Sequence, residues 1–192
     1  MNKRTTWLSI IVIFLVTAVT IILRPVWKPL FFGEPTLQTT TYRLPHAYAL
    51  TYPKGWRRYD GSEKEGYEIL SIYSYNYRKV TDPGSGFGGG QIKIALSILP
   101  RANQGQQPLA EIVKSEFKGT EKNFTQQVLT IHERQAIRVT AVVETEEASS
   151  PVIETFIEYK SHQYAWLVGY YDGSISAAQE IIKVQDSFQA LE

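Results

Sequence analysis

Three histidines, one acidic cluster and one glycine-rich stretch hold the side chains of this chain that could do chemistry. His132-Glu133-Arg134-Gln135-Ala136 opens like the zinc-protease pattern His-Glu-x-x-His, where two imidazoles one helical turn apart hold the metal and the glutamate is the general base. Ala136 stands where the second ligand must be, and the segment reads as a turn between strands rather than a helix. His46 and His162 precede strands and read as turn residues. Glu144-Thr145-Glu146-Glu147 lies in a loop before Pro151 and reads as a hairpin tip. A working pair of carboxylates needs burial to separate two pKa values, which a loop tip does not supply. Asp82-Pro-Gly-Ser-Gly-Phe-Gly-Gly-Gly90 lacks the Gly-Lys-Ser/Thr of a phosphate loop, the helix and spacing of a dinucleotide fingerprint, and the Gly-x-Ser-x-Gly of a nucleophile elbow. It reads as a flexible hairpin loop, with a partner-binding loop presenting Phe87 as the alternative. Asn123-Phe124-Thr125 matches a glycosylation sequon and nothing more. These residues predict no catalytic set, no cofactor and no metal.

The residues left for recognition are aromatic and basic. Period-two alternation in a long strand over 67–77 puts Tyr67, Ile69, Tyr73, Tyr75 and Tyr77 on one face and Leu70 and Ile72 on the other. A sheet covered on both sides accounts for this pattern; an exposed platform for a glycan or peptide is the alternative. Lys54, Arg57 and Arg58 flank Trp56, a core plug after the Pro53-x-Gly55 turn, and could face an anionic headgroup or a partner's carboxylate.

The segment that locates everything else is Trp7–Leu23, seventeen residues without charge. As a helix it rises about 25 Å, slightly short of a hydrocarbon core of about 30 Å. Trp7 and Trp27 bracket it at about 30 Å along a helix, with Phe14 near its middle and Arg24 placed to reach the interface, so it reads as one membrane-spanning anchor. Asn2-Lys3-Arg4 resembles the start of a signal peptide, which stays open as the alternative. The apolar run exceeds the usual 7–15 residues or so and no small-x-small site ends it. Residues 1–6 read as a short tail, 24–41 as a linker rich in Pro25, Pro29 and Pro35, and 42–192 as one globular domain outside the cytoplasm. Twenty Lys and Arg against nineteen Asp and Glu give no field to attract nucleic acid. The absence of cysteine excludes disulfides, thiolate metal sites and lipid attachment to cysteine.

Positioning elements follow in order. Short extended segments over 42–45 and 48–52 lead to the 67–77 strand and a strand over 91–99 with Ile92, Ile94, Leu96 and Ile98 inward. Pro108 opens an amphipathic helix over 108–118 with the stripe Leu109, Ile112, Val113 and Phe117. Four strands then meander over 124–131, 135–143, 152–159 and 163–171, the last apolar throughout and central. Arg138, Thr140, Glu154 and Glu158 alternate with apolar residues, which predicts one wetter face. A closing helix places Ile175, Ala178, Ile181, Ile182, Gln185 and Phe188 largely on one face, with Ser176 and Gln179 at capping-box spacing.

With the parts in this order the chain resembles the PsbP-like branch of the Mog1/PsbP fold. Tyr48-Ala-Leu-Thr-Tyr-Pro-Lys-Gly-Trp56 is similar to that family's opening strand and turn, Leu109–Phe117 to its first helix, and Ile181–Phe188 to its final helix ending in Ser-Phe. The resemblance covers about 42–191. It implies an α/β protein with a central antiparallel sheet flanked by helices on both sides, preceded here by the transmembrane helix. Members range from photosystem II extrinsic subunits to anchored or lipid-attached bacterial proteins. The expected function is a non-enzymatic, membrane-anchored extracytoplasmic domain that docks to, or assists assembly of, another membrane or envelope protein. The runner-up is a carrier of a small ligand in an aromatic-lined groove, and a hydrolase with an unrecognised site comes third.

Overall fold

Alternating apolar residues at positions 92–98, 136–141 and 152–157 build a sheet with two buried faces. In the computed structural model, residues 37–42, 47–61, 68–75, 90–102, 106–118, 124–144, 149–160 and 162–191 are described; they fall in one compact unit that starts at Leu37. The strands are β1 (Leu37–Tyr42), β2 (Tyr48–Pro53), β3 (Arg57–Asp60), β4 (Glu68–Tyr73), β5 (Ile92–Pro100), β6 (Phe124–Ile131), β7 (Arg134–Glu144), β8 (Ser149–Glu158), β9 (Gln163–Tyr171) and β10 (Gln189–Ala190). The helices are α1 (Leu109–Glu116) and α2 (Ile175–Asp186). A seven-stranded antiparallel sheet runs β3-β4-β5-β9-β8-β7-β6, and a three-stranded one runs β1-β2-β10. The meander 124–171 and the central place of its last strand are as the sequence implies.

Most of the fold is therefore sheet, with a helix packed on each face of the large one. Ala177, Ile181, Val184 and the nearby Phe188 join Ile72, Ile94, Leu96, Ile153, Ile157 and Leu167 in one core. Leu109, Ile112, Val113 and the following Phe117 join Ile137, Val139, Val152, Phe156 and Tyr164 in the other. Among the described residues no helix is long and apolar enough to cross a membrane. The anchor segment Trp7–Leu23 and the rest of residues 1–36 lie outside them.

Several local expectations change. β1 begins at Leu37, inside the span expected to be linker, because it pairs with β2 along its whole length. Arg57 and Arg58 form strand β3 rather than a basic turn. A register shift between Glu68 and Leu70 turns Ile69 toward the Leu70 side, off the Tyr73 face. Pro108 caps α1 from outside the helix. Ser174, not Ser176, caps α2, its hydroxyl accepting from the Ala177 N–H at 3.3 Å, and this start leaves Ile175 exposed. The wetter face is also incomplete, since Arg138 and Glu154 are both buried. His132 and Glu133 make the two-residue turn between β6 and β7 with φ of 44° and 66°. Both angles are positive, as a type I′ hairpin turn demands.

Gly169 on β9 is where α2 touches the sheet. A Cβ there would run into the Ile181 side chain, beginning with its Cγ2, which cannot swing away because it is fixed to the branch point. Gly169→Ala should lower stability by about 1–3 kcal/mol through overpacking. In urea melts the Gly169→Ala/Ile181→Ala double variant should lose less than the sum of the two single losses; strict additivity would show that the contact does not govern the docking.

Candidate functional site

Tracing the strand pairings across the sheet lines up the side chains of the α1 face. One row runs Arg57, Tyr73, Lys93, Tyr170, Val152, Ala141 and Phe124; the next runs Tyr59, Ser71, Ala95, Val168, Glu154 and Val139. α1 packs chiefly over β7 and β8, and its core takes in Leu99 at the far end of β5, so among the described residues the β3-β4 end of this face and the Lys93 end of β5 lie outside its main contacts. At that end Lys93 Nζ lies 5.8 Å from the Tyr73 ring centre and 5.7 Å from that of Tyr170, a cation between two π faces. Tyr59 and Tyr75 both meet Tyr73 edge-on, at 5.4 and 5.5 Å. Tyr73 is buried, Tyr59, Tyr75, Lys93 and Tyr170 are half-buried, and Arg57 is exposed. Ser71, between Tyr59 and Ala95, is buried with its hydroxyl oxygen lacking a hydrogen-bond partner.

Among the residues singled out from sequence, Tyr73, Tyr75 and Arg57 come together here. Arg58 points to the opposite face, where it binds Asp60 at 2.7 Å and donates to Thr40. Tyr77 and Phe87, like Trp7, Phe14, Leu23, Arg24 and Trp27, lie outside the described residues. His132 is in the β6–β7 turn and His162 in the turn before β9, where its carbonyl accepts from the Arg101 N–H at 2.8 Å. Among the described residues no three His, Asp or Glu side chains converge as metal ligands.

Glu154 was missed, because alternation alone assigns it to solvent. It is 7% exposed, on the α1 face beside an aromatic stack in which Phe156 lies 5.7 Å from Trp166 and 6.1 Å from Tyr164. The signal that could have found it is Trp166, two residues from its cross-strand neighbour Val168, with an indole N–H that needs an acceptor once inside. Trp166 Nε1 donates to Glu154 Oε2 at 2.7 Å. Burial pushes the carboxyl up to about 7, against the pull of that hydrogen bond, and the charge of Glu116 at the end of α1 adds to the rise. Burial, and then Glu116, also push the Tyr164 hydroxyl up to about 12. The arrangement can hold a proton near neutrality and present an acid beside aromatic rings.

No protein-family model matches the chain, and no curated protein does. Solved structures do. The solution structure of cyanobacterial PsbP (CyanoP) from Synechocystis sp. PCC 6803 superposes with a TM-score of 0.53, covering 84% of this chain and 96% of that one at 9% identity. The fold is that of PsbP. LpqN of Mycobacterium tuberculosis, described as involved in cell envelope biogenesis, gives a TM-score of 0.51 over 81% of this chain and 92% of its own, at 16% identity. At these identities the likeness establishes the PsbP-like fold and leaves function to the site.

The raised Glu154 carboxyl has a signed consequence for stability. Below about pH 4.5 it is protonated whether folded or unfolded; between about 4.5 and 7 only the folded chain keeps the proton, so stability falls as pH rises through this window. The full penalty is about 3 kcal/mol. Glu154→Gln should match the parent at pH 4.5 and exceed it by up to that amount at pH 8 in denaturant melts. Parallel stability curves would show that the carboxyl titrates normally.

Proposed function

We propose that this chain is a non-enzymatic, membrane-anchored PsbP-like domain that works outside the cytoplasm, held by Trp7–Leu23, and docks to or assists assembly of another membrane or envelope protein. The observation that carries the reading is the row Arg57–Tyr73–Lys93–Tyr170 at the end of the sheet that lies outside the main contacts of α1. Aromatic rings with interleaved cations suit a protein interface, where Tyr and Arg supply large contact areas. They suit catalysis less well, because two tyrosines, a lysine and an arginine include no carboxylate or imidazole to serve as general base. The likeness to CyanoP and to an envelope-biogenesis protein supports a domain of this kind, and the uncharged segment 7–23 supports the tether.

A second reading, a carrier for a small ligand, draws on the Ser71 hydroxyl, buried without a partner between Tyr59 and Ala95. A buried hydroxyl left this way costs about 1–3 kcal/mol, which a ligand's polar group would recover.

A photo-crosslinking residue at Arg57 or Tyr170 in the full-length chain, in its native membranes, tests docking. One protein adduct should form at both positions, fall sharply with Lys93→Glu, and be missing when the crosslinker replaces Lys183 on α2. The chain should also resist alkaline carbonate washing. Equal labelling at Lys183 would overturn the docking face, and release by carbonate would overturn the tether. A thermal shift with a small ligand that vanishes in Ser71→Ala, without any adduct, would select the carrier.

A further inference from the structure

The two edges of the large sheet are built differently. β3 is four residues long and carries Arg57, Arg58 and Asp60, the charges and shortness with which proteins block unwanted strand pairing. β6 is eight residues, Phe124-Thr-Gln-Gln-Val-Leu-Thr-Ile131, with no charge, no proline and no glycine. It pairs with β7 from end to end without a bulge. Thr125, Gln126, Gln127 and Val128 are exposed, Val128 at 63%. β1, also uncharged and at an edge, is not comparable, since its Thr40 is buried and takes a hydrogen bond from Arg58.

The turn settles which backbone groups β6 offers. In a hairpin closed by two residues the flanking pair, Ile131 and Arg134, is hydrogen-bonded, and bonded and non-bonded pairs alternate from there. Leu129, Gln127 and Thr125 therefore face β7, while Thr130, Val128, Gln126 and Phe124 turn their N–H and C=O groups to the edge that, among the described residues, no strand pairs.

We infer that β6 is a self-association edge, pairing antiparallel with β6 of a second copy about a two-fold axis through Val128. Only registers joining residues of like parity keep the two sheets' faces continuous. The axis at Val128 sets Val128 against its own counterpart and Gln126 against the second copy's Thr130. The exposed valine is buried, two polar side chains meet, and no like charges oppose each other because the strand has none. A two-fold contact closes at two copies. Both ends of the joined sheet are then charged β3 strands, so an edge that would otherwise invite open-ended stacking is used up.

The chain has no cysteine, so engineered thiols report without background. In cells expressing the full chain, Val128→Cys should give a reducible homodimer on mild oxidation, because facing residues of a bonded antiparallel pair lie about 5.5 Å apart, within disulfide range. Gln126→Cys alone should not, since its own counterpart would be about 13 Å away along the strand. Chains carrying Gln126→Cys and Thr130→Cys, co-expressed with different tags, should crosslink to each other. Adding Val128→Lys to that pair should abolish the crosslink while leaving the melting temperature close to the parent's. A monomeric Val128→Cys chain, equal dimer from Gln126→Cys alone, or capture of Val128→Cys by a different protein would each overturn the inference.

Discussion

The fold depends on how one amide, Gln185, is seated under the sheet. It lies on the face of α2 that the apolar pattern turns inward and is fully buried, a position that leaves every unmet hydrogen bond costly. Each is met. Its Nε2 donates to the Ile153 carbonyl at 2.8 Å and to that of Leu167 at 3.2 Å, and its Oε1 accepts from Thr155 Oγ1 at 2.7 Å. Thr155 Oγ1 in turn accepts from Arg138 Nε at 3.0 Å, and Arg138 reaches out to Asp186 at 2.5 Å. A satisfied polar network in a low-dielectric interior fixes one arrangement where apolar contacts alone would tolerate sliding. The absent side chain at Gly169 lets the helix approach closely enough for the amide to reach two adjacent strands.

That seating also attaches the small sheet. Ser187, just past α2, accepts from the Thr51 N–H at 2.8 Å and donates to the Thr51 carbonyl at 2.9 Å, and Tyr48 stacks on Phe188 at 6.1 Å. Tyr159 closes the other side by donating to the Ala47 carbonyl at 3.0 Å. Among the described residues, the buried polar side chains on the α2 side are thus matched to partners. On the α1 side they are not. Ser71 lacks a partner there, and Trp166 is the donor that Glu154 has from the described residues, so polar capacity left for a ligand or partner concentrates on that face.

The outline of this division was legible in the chain. Periodicity located β6 and β9 to the residue, placed Leu109, Ile112, Val113 and Phe117 in a core, and set the β6–β9 meander. The motifs Tyr52-Pro53-x-Gly55-Trp56 and Ser187-Phe188 pointed to the PsbP-like fold, and both do structural work: the Trp56 N–H closes a turn on the Pro53 carbonyl at 3.2 Å, and Ser187 ties the end of α2 to the small sheet. What failed is what local pattern cannot express. Arg138 and Glu154 alternate correctly yet are buried, because the sheet is covered on both faces and a charge can be carried inside by a partner distant in sequence. Ser174 took the cap from Ser176 because Asp172 accepts from the Ser174 N–H at 3.0 Å and sets the turn there. Gln185 was assigned to the right face, but its role depends on carbonyls of two strands that periodicity does not identify.

The sheet's asymmetry then bears on what such a domain can do. A catalytic cleft needs two groups facing one opening with their proton affinities pushed apart. Here Glu154 is pushed up by burial, and the charge of Glu116, which shares its sign, raises it further, so burial and charge act on this carboxyl in one direction. Across the same face, Lys93 is held between two rings, where it contributes area and charge. The β3 end has rings and cations but a short guarded edge; the β6 end has an open edge but neutral side chains. One sheet thus presents two unlike chemistries at its two ends, rings and cations at β3 and uncharged side chains beside a longer strand edge at β6.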